Sequence, residues 1–464
     1  MFSIRGVPVV SYAISIPYEL ETFLKTRGVS LLIKGLPGTG KTILALSILK
    51  IVGDAPSFYV TTRVKPQNLV EDYPWIRDVI SVDHIIDASK SIFPKAIAKE
   101  NKVKDFGFIK YSDKPSFISE LYQLLKGREN PLIVLDSIEG IQEATSQRIY
   151  VDLLDIQREL DIRMIFVSEY EEGKELDYLV DGVVLLKREV FNEEVIRVLQ
   201  INKLRGAHCK KCFYIFTLND GVFKHFEPFK IQPPKEKKRL ELLPDSETRF
   251  SSGSRDLDNI LGGGYEKGST ILLEMDKNVT RDAYIYFIMI PAASFLAKGR
   301  VAIGSPTLGA SVELIYSYFL QFLETEEAKK AIVLKEEVIK GKPRSELAKD
   351  FLSTYAETIS KIEPEGCGVA WGLDSLLNKY GNHLIPVLEQ AKFDTQNKKL
   401  LTLWMIKHGT NGIDKIASMA DYHFKIWEKG GVFIFHSQKP KSGLNIIEID
   451  VSRGYPELKL LPVT

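Results

Sequence analysis

Residues 35–42, Gly-Leu-Pro-Gly-Thr-Gly-Lys-Thr, match the phosphate-binding pattern Gly-x-x-x-x-Gly-Lys-Ser/Thr at every fixed position. The apolar run 31–33 precedes this loop and the apolar run 43–46 follows it, which predicts a loop between a buried strand and a helix. Glycines let successive backbone N–H groups turn toward a phosphate, and the helix N-terminus adds partial positive charge. The sequence therefore predicts an α/β domain with a nucleotide site.

The residues predicted to bind the nucleotide lie in this loop and at the end of one later strand. Lys41 is predicted to reach the outer phosphates, and the Thr42 hydroxyl to ligate magnesium. The apolar run 131–135 ends in Asp136, and a strand-end carboxylate is the usual second metal anchor beside such a loop. ATP and Mg²⁺ are therefore the predicted cofactors, with Thr42 and Asp136 as the metal-binding residues. The predicted cofactor-binding residues of the loop are Gly35, Pro37, Gly38, Thr39, Gly40, Lys41 and Thr42.

The size and charge of the chain exclude several classes of protein. At 464 residues it is long enough for two or three domains. The 62 basic and 61 acidic residues leave a net charge of +1, so no overall field attracts nucleic acid or an anionic membrane. Residues 1–17 lack the order of a signal peptide, no apolar run is long enough to span a bilayer, and three cysteines are too few for a disulfide framework. The expectation is a cytoplasmic protein with no membrane segment.

The chain repeats itself at an offset near 240 positions. The matched pairs are Ser30 with Thr270, Asp136 with Asp374, Asp181 with Asp421, and Arg205 with Arg453. Between the two copies, the prolines and charges of residues 229–247 predict a linker. Ordered matches at a nearly constant offset indicate duplication. We therefore predict domains at residues 1–228 and 248–464.

The second copy has lost the phosphate loop. Residues 275–282 read Met-Asp-Lys-Asn-Val-Thr-Arg-Asp, so all three loop glycines are absent and Arg281 stands where Lys41 stood. Without glycine the backbone does not close easily on a phosphate, and Asp276 and Asp282 would repel one. The second domain is predicted to be degenerate and to serve structure, regulation or partner docking.

The segment 249–264 carries the pattern Ser-x-Gly-x-x-x-Leu-Asp-x-x-Leu-Gly-Gly-Gly ahead of a predicted strand. This pattern is similar to the RecA-superfamily branch that holds the clock ATPase KaiC and the archaeal recombinase RadA, and residues 178–183 and 202–206 also resemble the KaiC-like pattern. Residues 30–35 together with 61–63 resemble the branch of the archaeal gas-vesicle regulator GvpD. The resemblance implies two tandem RecA-like α/β domains, with mainly parallel central sheets flanked by helices.

The resemblance also implies a ring in which the nucleotide lies between subunits. Lys203 and Arg205 would then be trans-acting cations that stabilise charge at the neighbouring subunit's terminal phosphate. Of this pair only Arg453 remains in the second copy, where Val451 replaces the lysine. The alternative for Lys203 and Arg205 is an exposed basic hairpin.

Hydrolysis needs a carboxylate that orients water, and KaiC-like ATPases carry a Glu-Glu pair just after the second strand. Residues 61–63 at this place read Thr-Thr-Arg, which cannot accept the water's proton near neutral pH. Glu139 and Glu169, each after a strand end, are the candidate catalytic substitutes, or else solvated loop acids. We therefore expect slow hydrolysis, or ATP that serves mainly as a conformational ligand.

Three functions follow in order of preference. The first is a KaiC-like regulatory ATPase that forms a homo-oligomer or acts on a protein partner. The second is a nucleotide-sensing transcriptional or assembly regulator with negligible turnover. The third is a DNA-binding recombination accessory protein, which the acidic loop 169–177 disfavours because single-strand binding requires a positive groove.

Cys209 and Cys212 form a Cys-x-x-Cys pair. One such pair is half of a zinc site, and the third cysteine, Cys367, lies far along the chain. A turn between strands that holds a redox-sensitive pair is preferred to a metal site.

Overall fold

The computed structural model describes residues 13–53, 56–88, 116–145, 149–173, 175–232, 234–305, 311–333, 342–410 and 412–463. Contacts divide the chain into two compact units, one from Met1 to Phe226 with the last two residues, the other from Glu227 to Pro462. The segment predicted as a linker is held on the second unit, since the Phe229 N–H donates to the carbonyl of Gly431 at 2.8 Å. In the described ranges no helix is both long and apolar enough to cross a membrane.

The first unit is a sheet with helices on both faces. Its strands are β1 (Ser30–Lys34), β2 (Ser57–Thr61), β3 (Ile85–Asp87), β4 (Leu132–Asp136), β5 (Arg163–Ser168), β6 (Gly182–Phe191), β7 (Glu194–Leu204), β8 (Phe213–Thr217) and β9 (Lys224–His225). Its helices are α1 (Tyr18–Leu24), α2 (Lys41–Val52), α3 (Pro66–Asp72), α4 (Ser116–Leu125), α5 (Ile138–Thr145), α6 (Tyr150–Glu159) and α7 (Glu175–Leu179).

Nine strands in the described part of this unit form one sheet in the order β3-β2-β4-β5-β1-β6-β7-β8-β9. The strands from β3 to β6 in this order are parallel, and β7, β8 and β9 extend the sheet as antiparallel strands. Strand β1 is buried along its whole length because both faces of a parallel sheet are covered. Leu31 and Ile33 join the core beneath α2, while Leu32 joins the core beneath α4, α5 and α6.

The second unit has the same plan. Its strands are β10 (Arg249–Phe250), β11 (Tyr265–Glu266), β12 (Ser269–Met275), β13 (Val301–Ser305), β14 (Ala331–Val333), β15 (Cys367–Gly372), β16 (Leu401–Lys407), β17 (Tyr422–Lys429), β18 (Val432–Lys439), β19 (Asn445–Asp450) and β20 (Glu457–Pro462). Its helices are α8 (Arg255–Ile260), α9 (Arg281–Ala297), α10 (Val312–Phe319), α11 (Thr325–Ala328), α12 (Arg344–Ser360), α13 (Leu373–Tyr380), α14 (Leu384–Asn397) and α15 (Ile413–Met419).

The main sheet of the second unit has the order β14-β13-β15-β16-β12-β17-β18-β19-β20, which corresponds strand by strand to the first sheet. The backbone N–H groups of Ser30 and Thr270 donate to the carboxylates of Asp181 and Asp421, at 3.1 and 2.9 Å. The two units therefore share one topology and one register at their central strand. This confirms the prediction of two tandem, mainly parallel α/β domains.

Sheet register corrects two of the four sequence matches. Asp136 stands opposite Val167, and Val167 stands opposite Ile33. The corresponding row in the second unit reads Gly372, Met405 and Leu273, so Gly372 and not Asp374 occupies the position of Asp136. The match of Asp374 was wrong by two residues, because the segments between strands differ in length.

The match of Arg205 with Arg453 was also wrong. Arg205 follows β7, whereas Arg453 lies between β19 and β20. Lys439 occupies the register position of Lys203. Lys203 stands opposite Val183 and Lys439 stands opposite His423, and Val183 and His423 are 240 positions apart, the offset between the two copies. The second unit has therefore kept the lysine that we took to be replaced by Val451.

Candidate functional site

The phosphate-type loop joins β1 to α2, as predicted. Gly35 and Gly40 have φ of 151° and 103°, in the region that favours glycine. A Cβ on Gly35 would lie 2.4 Å from the carbonyl oxygen of Leu186, and one on Gly40 would lie 2.7 Å from the Leu218 side chain. Glycine is required at both positions because a side chain would strain the backbone and would clash with its neighbours. The loop leads into the N-terminus of the 12-residue helix α2.

Lys41 is the first residue of α2, and its side chain folds back over the loop. Its Nζ donates to the carbonyl oxygens of Gly35 at 2.7 Å and Leu36 at 3.0 Å. Burial lowers the pKa of Lys41, while the carboxylates of Glu169, Asp136 and Glu139 act in the opposite direction. The amine is thus a buried cation held between loop carbonyl groups and three nearby acids.

Thr42 and Asp136 meet at the carboxyl ends of the strands. The Thr42 hydroxyl donates to Asp136 Oδ2 at 2.8 Å, and the Tyr59 hydroxyl donates to the same oxygen at 2.5 Å. Burial, together with the charge of Asp136, raises the pKa of Tyr59 well above its usual value, so Tyr59 remains a neutral donor. Hydroxyl and carboxylate oxygens are the ligands that Mg²⁺ prefers, and Mg²⁺ keeps several water ligands. The donor set therefore fits a magnesium ion held mainly by phosphate and water.

The two candidate bases lie beside this pair, and both are already engaged. Glu139 accepts a hydrogen bond from the Ser168 hydroxyl at 2.6 Å. Glu169 forms an ion pair with Arg63, with 2.5 Å between Oε1 and Nη1. The structure therefore brings Lys41, Glu139 and Glu169 into one electrostatic site, with Arg63 bound to one of the two acids.

Lys203 and Arg205 lie at the other end of the sheet. Lys203 Nζ donates to three carbonyl groups, of which that of Val180 is nearest at 2.6 Å, and Arg205 pairs with Asp181 at 2.9 Å. Asp181 also binds Ser30, the first residue of β1, whereas the phosphate-type loop follows the last residue of that strand. About 13 Å of strand separates the two ends. These cations therefore do not reach the loop of their own unit.

Comparison with known proteins shows which families the chain is similar to. A family model described as KaiC, an ATPase model, matches residues 23–228, and one described as GvpD basic region 2 matches residues 239–326. Residues 23–228 thus match a KaiC-like domain, and the relatives support a similarity of the chain to KaiC/RecA-like P-loop ATPases of the GvpD-like branch. This similarity supports a nucleotide site in the first unit.

Protein GvpD2 of Halobacterium salinarum is 26% identical over 96% of this chain and 95% of its own length. Protein GvpD1 of the same organism is 31% identical over 63% of this chain and 57% of GvpD1. The circadian clock oscillator protein KaiC of Thermostichus vulcanus is 25% identical over 53% of this chain. The chain spans about half the length of KaiC, 48%, in this alignment.

The cations in the stretch that matches GvpD basic region 2 are largely paired within the fold. Asp245 binds Lys298 at 2.6 Å and Arg300 at 2.7 Å. Burial raises the pKa of Asp245, but hydrogen bonds from Lys298, the Ser251 N–H and Arg300 hold it below its usual value. Other ion pairs in this stretch are Arg239–Glu327, Arg249–Glu266, Arg255–Glu241 and Lys267–Glu365. Much of the positive charge is thus neutralised locally.

Four contacts at the P-loop site were not found by sequence reasoning. Two of them, Tyr59 with Asp136 and Arg63 with Glu169, are described above. In the other two, Arg197 Nη1 donates to the Gly38 carbonyl at 2.9 Å, and Lys34 forms an ion pair with Asp177 at 2.6 Å. Lys34 carried a usable signal, because a lysine in an apolar strand needs an acid and the acidic loop 169–177 supplies one. That loop is less repulsive than its composition suggests, since the acids at its two ends pair with Arg63 and Lys34.

The second unit carries a carboxylate where the first has Lys34. Glu274 is buried and contacts His408 Nδ1 at 2.5 Å and His423 Nε2 at 2.9 Å, with Lys425 Nζ at 3.4 Å. Burial raises the pKa of Glu274, but the two histidines and Lys425 outweigh it and lower the pKa to about 2. A buried negative charge thus lies directly before the loop that replaces the P-loop.

Proposed function

We propose that the first unit binds Mg-ATP and that the chain is a regulatory ATPase with slow turnover. The observation that carries the proposal is the 2.8 Å contact between Thr42 and Asp136 beside the buried amine of Lys41. In this proposal the loop residues hold the phosphates, Lys41 neutralises them, and Thr42 with Asp136 bind the metal. Mg²⁺ would supply charge neutralisation at the phosphate oxygens.

Slow turnover is supported by the state of the two candidate bases. A base must accept a proton from water, and the Glu169 carboxylate is held in an ion pair with the Arg63 guanidinium. Glu139 is held by Ser168 at 2.6 Å and would have to act from that position. Loss of a positioned base lowers the rate by about two to four orders of magnitude.

A homo-oligomer is part of the proposal. Lys203 and Arg205 bind Val180 and Asp181, which directly precede β6 at the end of the sheet away from their own P-loop, so they would act on a nucleotide held by another copy. Charge-assisted contacts of this kind stabilise the transition state of phosphoryl transfer. Their present partners are carbonyl groups and Asp181, which they would exchange for phosphate oxygens.

We infer that the second unit binds no nucleotide in the standard mode and serves structure or the docking of a protein partner. Three differences support this inference: Arg281 replaces Lys41, Gly372 stands at the position of Asp136, and Glu274 stands at the position of Lys34. Gly372 removes the carboxylate proposed to bind the metal, and Glu274 reverses the charge of Lys34. Arg281 keeps the positive charge but replaces the compact ammonium group of lysine with a planar guanidinium. A cytoplasmic location belongs to the same proposal and is supported by the presence of only three cysteines.

The second candidate function is a nucleotide sensor with negligible turnover. The Arg63–Glu169 ion pair favours it, because the same contact that slows hydrolysis leaves nucleotide binding intact. Steady-state release of phosphate separates the two functions, since a sensor binds ATP without measurable release.

Fluorescence titration with a labelled ATP in the presence of Mg²⁺ tests the proposal. Lys41→Ala should abolish binding, and the matched change Arg281→Ala in the second unit should leave it unchanged. Binding that survives Lys41→Ala, or is lost in Arg281→Ala, contradicts the proposal.

A further inference from the structure

An apolar cavity lies in the second unit between α9 and the sheet face of β13, β14, β15 and β16. Its volume is about 100 Å³. Its walls include Ile288 and Phe295 from α9, Phe319 from α10, and Leu403 and Met405 from β16. Among the residues that the structure describes, none of those lining the cavity carries a charge.

The cavity arises where large side chains of the first unit have small counterparts in the second. In the first unit one row across the sheet reads Tyr59, Val134, Ile165 and Leu31. The corresponding row in the second unit reads Gly304, Ala370, Leu403 and Ile271. A tyrosine and a valine have thus been replaced by glycine and alanine at neighbouring positions.

A third replacement lies beside these two. Leu132 stands opposite Arg163 in the first unit, and Gly368 stands opposite Leu401 at the corresponding place in the second. Tyr59, Leu132 and Val134 are all buried in the core beneath α2, whereas Gly304, Gly368 and Ala370 line the cavity beneath α9. The Phe295 ring fills the space next to Gly368, where a Cβ would lie 3.4 Å from it, and the cavity is what remains open beside Gly304 and Ala370.

Open apolar space in a protein interior is unfavourable, because the lining atoms lose van der Waals contacts. A cavity lined by apolar side chains excludes water and takes apolar molecules of the size of benzene. We propose that this cavity is a binding site for a small uncharged apolar molecule, namely a single aromatic ring or a short alkyl chain. The site is independent of the proposed nucleotide function, since none of its residues belongs to the P-loop site.

Toluene, an uncharged probe with a single aromatic ring whose binding is followed by ligand-detected NMR, tests the proposal on the full chain. The wild-type protein should bind it saturably at one site per chain, and octanol should displace it. Ala370→Val restores the side chain found at Val134 and should weaken probe binding about tenfold or more, because it fills the space. Gly304→Ala is a milder filling change, since its Cβ would lie 3.7 Å from its nearest neighbour, the Ala370 carbonyl oxygen.

Both filled variants should melt at or above the wild-type temperature and should still bind ATP, which shows that they fold. Lys41→Ala should bind the probe like the wild-type protein, so failure of the nucleotide proposal is distinguishable from failure of this one. Absence of saturable binding to the wild-type protein overturns the proposal. Equal binding by folded Ala370→Val and Gly304→Ala variants overturns it as well.

Discussion

The guanidinium of Arg63, in the loop after β2, lies 2.5 Å from the carboxylate of Glu169, in the loop after β5, at the carboxyl ends of the strands. Arg63 is the third residue of the Thr-Thr-Arg sequence that stands where KaiC-like ATPases carry two glutamates. The residue that departs from the family pattern therefore also binds one of the acids that could compensate for the departure. If the chain hydrolyses ATP as proposed, we expect the rate to depend on that contact.

Removing Arg63 should accelerate hydrolysis. In Arg63→Ala the ion pair is lost and the Glu169 carboxylate is free to accept a hydrogen bond from the attacking water, and we expect turnover to increase by about tenfold to a hundredfold. Phosphate release at saturating ATP is the measurement. Lys65→Ala, which removes another exposed cation two residues away, should leave the rate unchanged. An Arg63→Ala rate at or below that of the wild-type protein is inconsistent with this role.

Asp136→Asn should separate metal binding from protein stability. The amide oxygen still accepts the hydrogen bonds of Thr42 and Tyr59, so no buried hydroxyl is left without a partner. The lost charge should weaken Mg²⁺ binding, and ATP affinity should no longer respond to added Mg²⁺. Titrations with and without a chelator measure this response. Asp374→Asn is the control, because Asp374 lies in α13 of the second unit. If the ATP affinity of Asp136→Asn still depends on Mg²⁺, Asp136 does not bind the metal.

Lys41→Ala and Arg205→Ala should complement each other when mixed. Each variant alone should have little turnover, since one lacks the phosphate-binding lysine and the other lacks the cation supplied to a neighbour. In a mixed oligomer, an intact P-loop meets an intact Arg205 at some interfaces, and activity should return. Turnover of the mixture is compared with that of the separate variants after oligomerisation has been verified by light scattering. Oligomers that mix without any gain in activity contradict the trans arrangement.

The stability of the second unit should depend on Glu274 in a pH-dependent manner. The pKa of Glu274 in the folded protein, about 2, lies below the ordinary value of 4.5. The charged carboxylate therefore stabilises the fold above pH 4.5, and this stabilisation is lost as the pH falls toward 2. His408, His423 and Lys425 are the groups that hold the charge. Glu274→Gln should lower the free energy of unfolding by up to about 3 kcal/mol at neutral pH. Denaturant unfolding at several pH values tests this prediction. The free energies of unfolding of the wild-type protein and of Glu274→Gln should approach each other between about pH 5 and pH 3, and a constant difference would contradict the prediction.

Thiol alkylation should distinguish the three cysteines. Cys212 is exposed and lies 3.0 Å from Cys209, Sγ to Sγ. Burial and the contact with Cys212 raise the pKa of Cys209 to about 12, and burial raises the pKa of Cys367 to about 12. Because the thiolate is the nucleophile, Cys212 should react first with iodoacetamide near neutral pH. Peptide mass spectrometry over time gives the order, and earlier modification of Cys209 or Cys367 would contradict it.

The P-loop and the duplication could be predicted because their signals are local. The glycines, Lys41 and Thr42 lie within eight residues, and Asp136 ends an apolar run that reads as a strand in isolation. The match of Ser30 with Thr270 was confirmed. These residues lie in β1 and β12, the central strands of the two main sheets, close in sequence to the P-loop and to the segment that replaces it.

The rest depended on contacts between distant residues. Arg63 and Glu169 are 106 residues apart, and a tyrosine such as Tyr59 in a buried strand looks like any core aromatic residue. The matches of Asp374 and Arg453 failed because a constant offset ignores unequal segments between strands, which only the register of the sheet resolves. The apolar cavity could not be predicted for the same reason, since Gly304, Gly368 and Ala370 become neighbours only across two strands.

The central claim is that one unit holds a nucleotide and its degenerate copy does not. Photocrosslinking with an azido-ATP and Mg²⁺, followed by peptide mass spectrometry and measurement of bound nucleotide per chain, tests it most directly. We predict one ATP per chain, with the label on peptides of the first unit near residues 35–42 and its loss in Lys41→Ala. Label on peptides around residues 275–282, or two ATP molecules per chain, would contradict the claim.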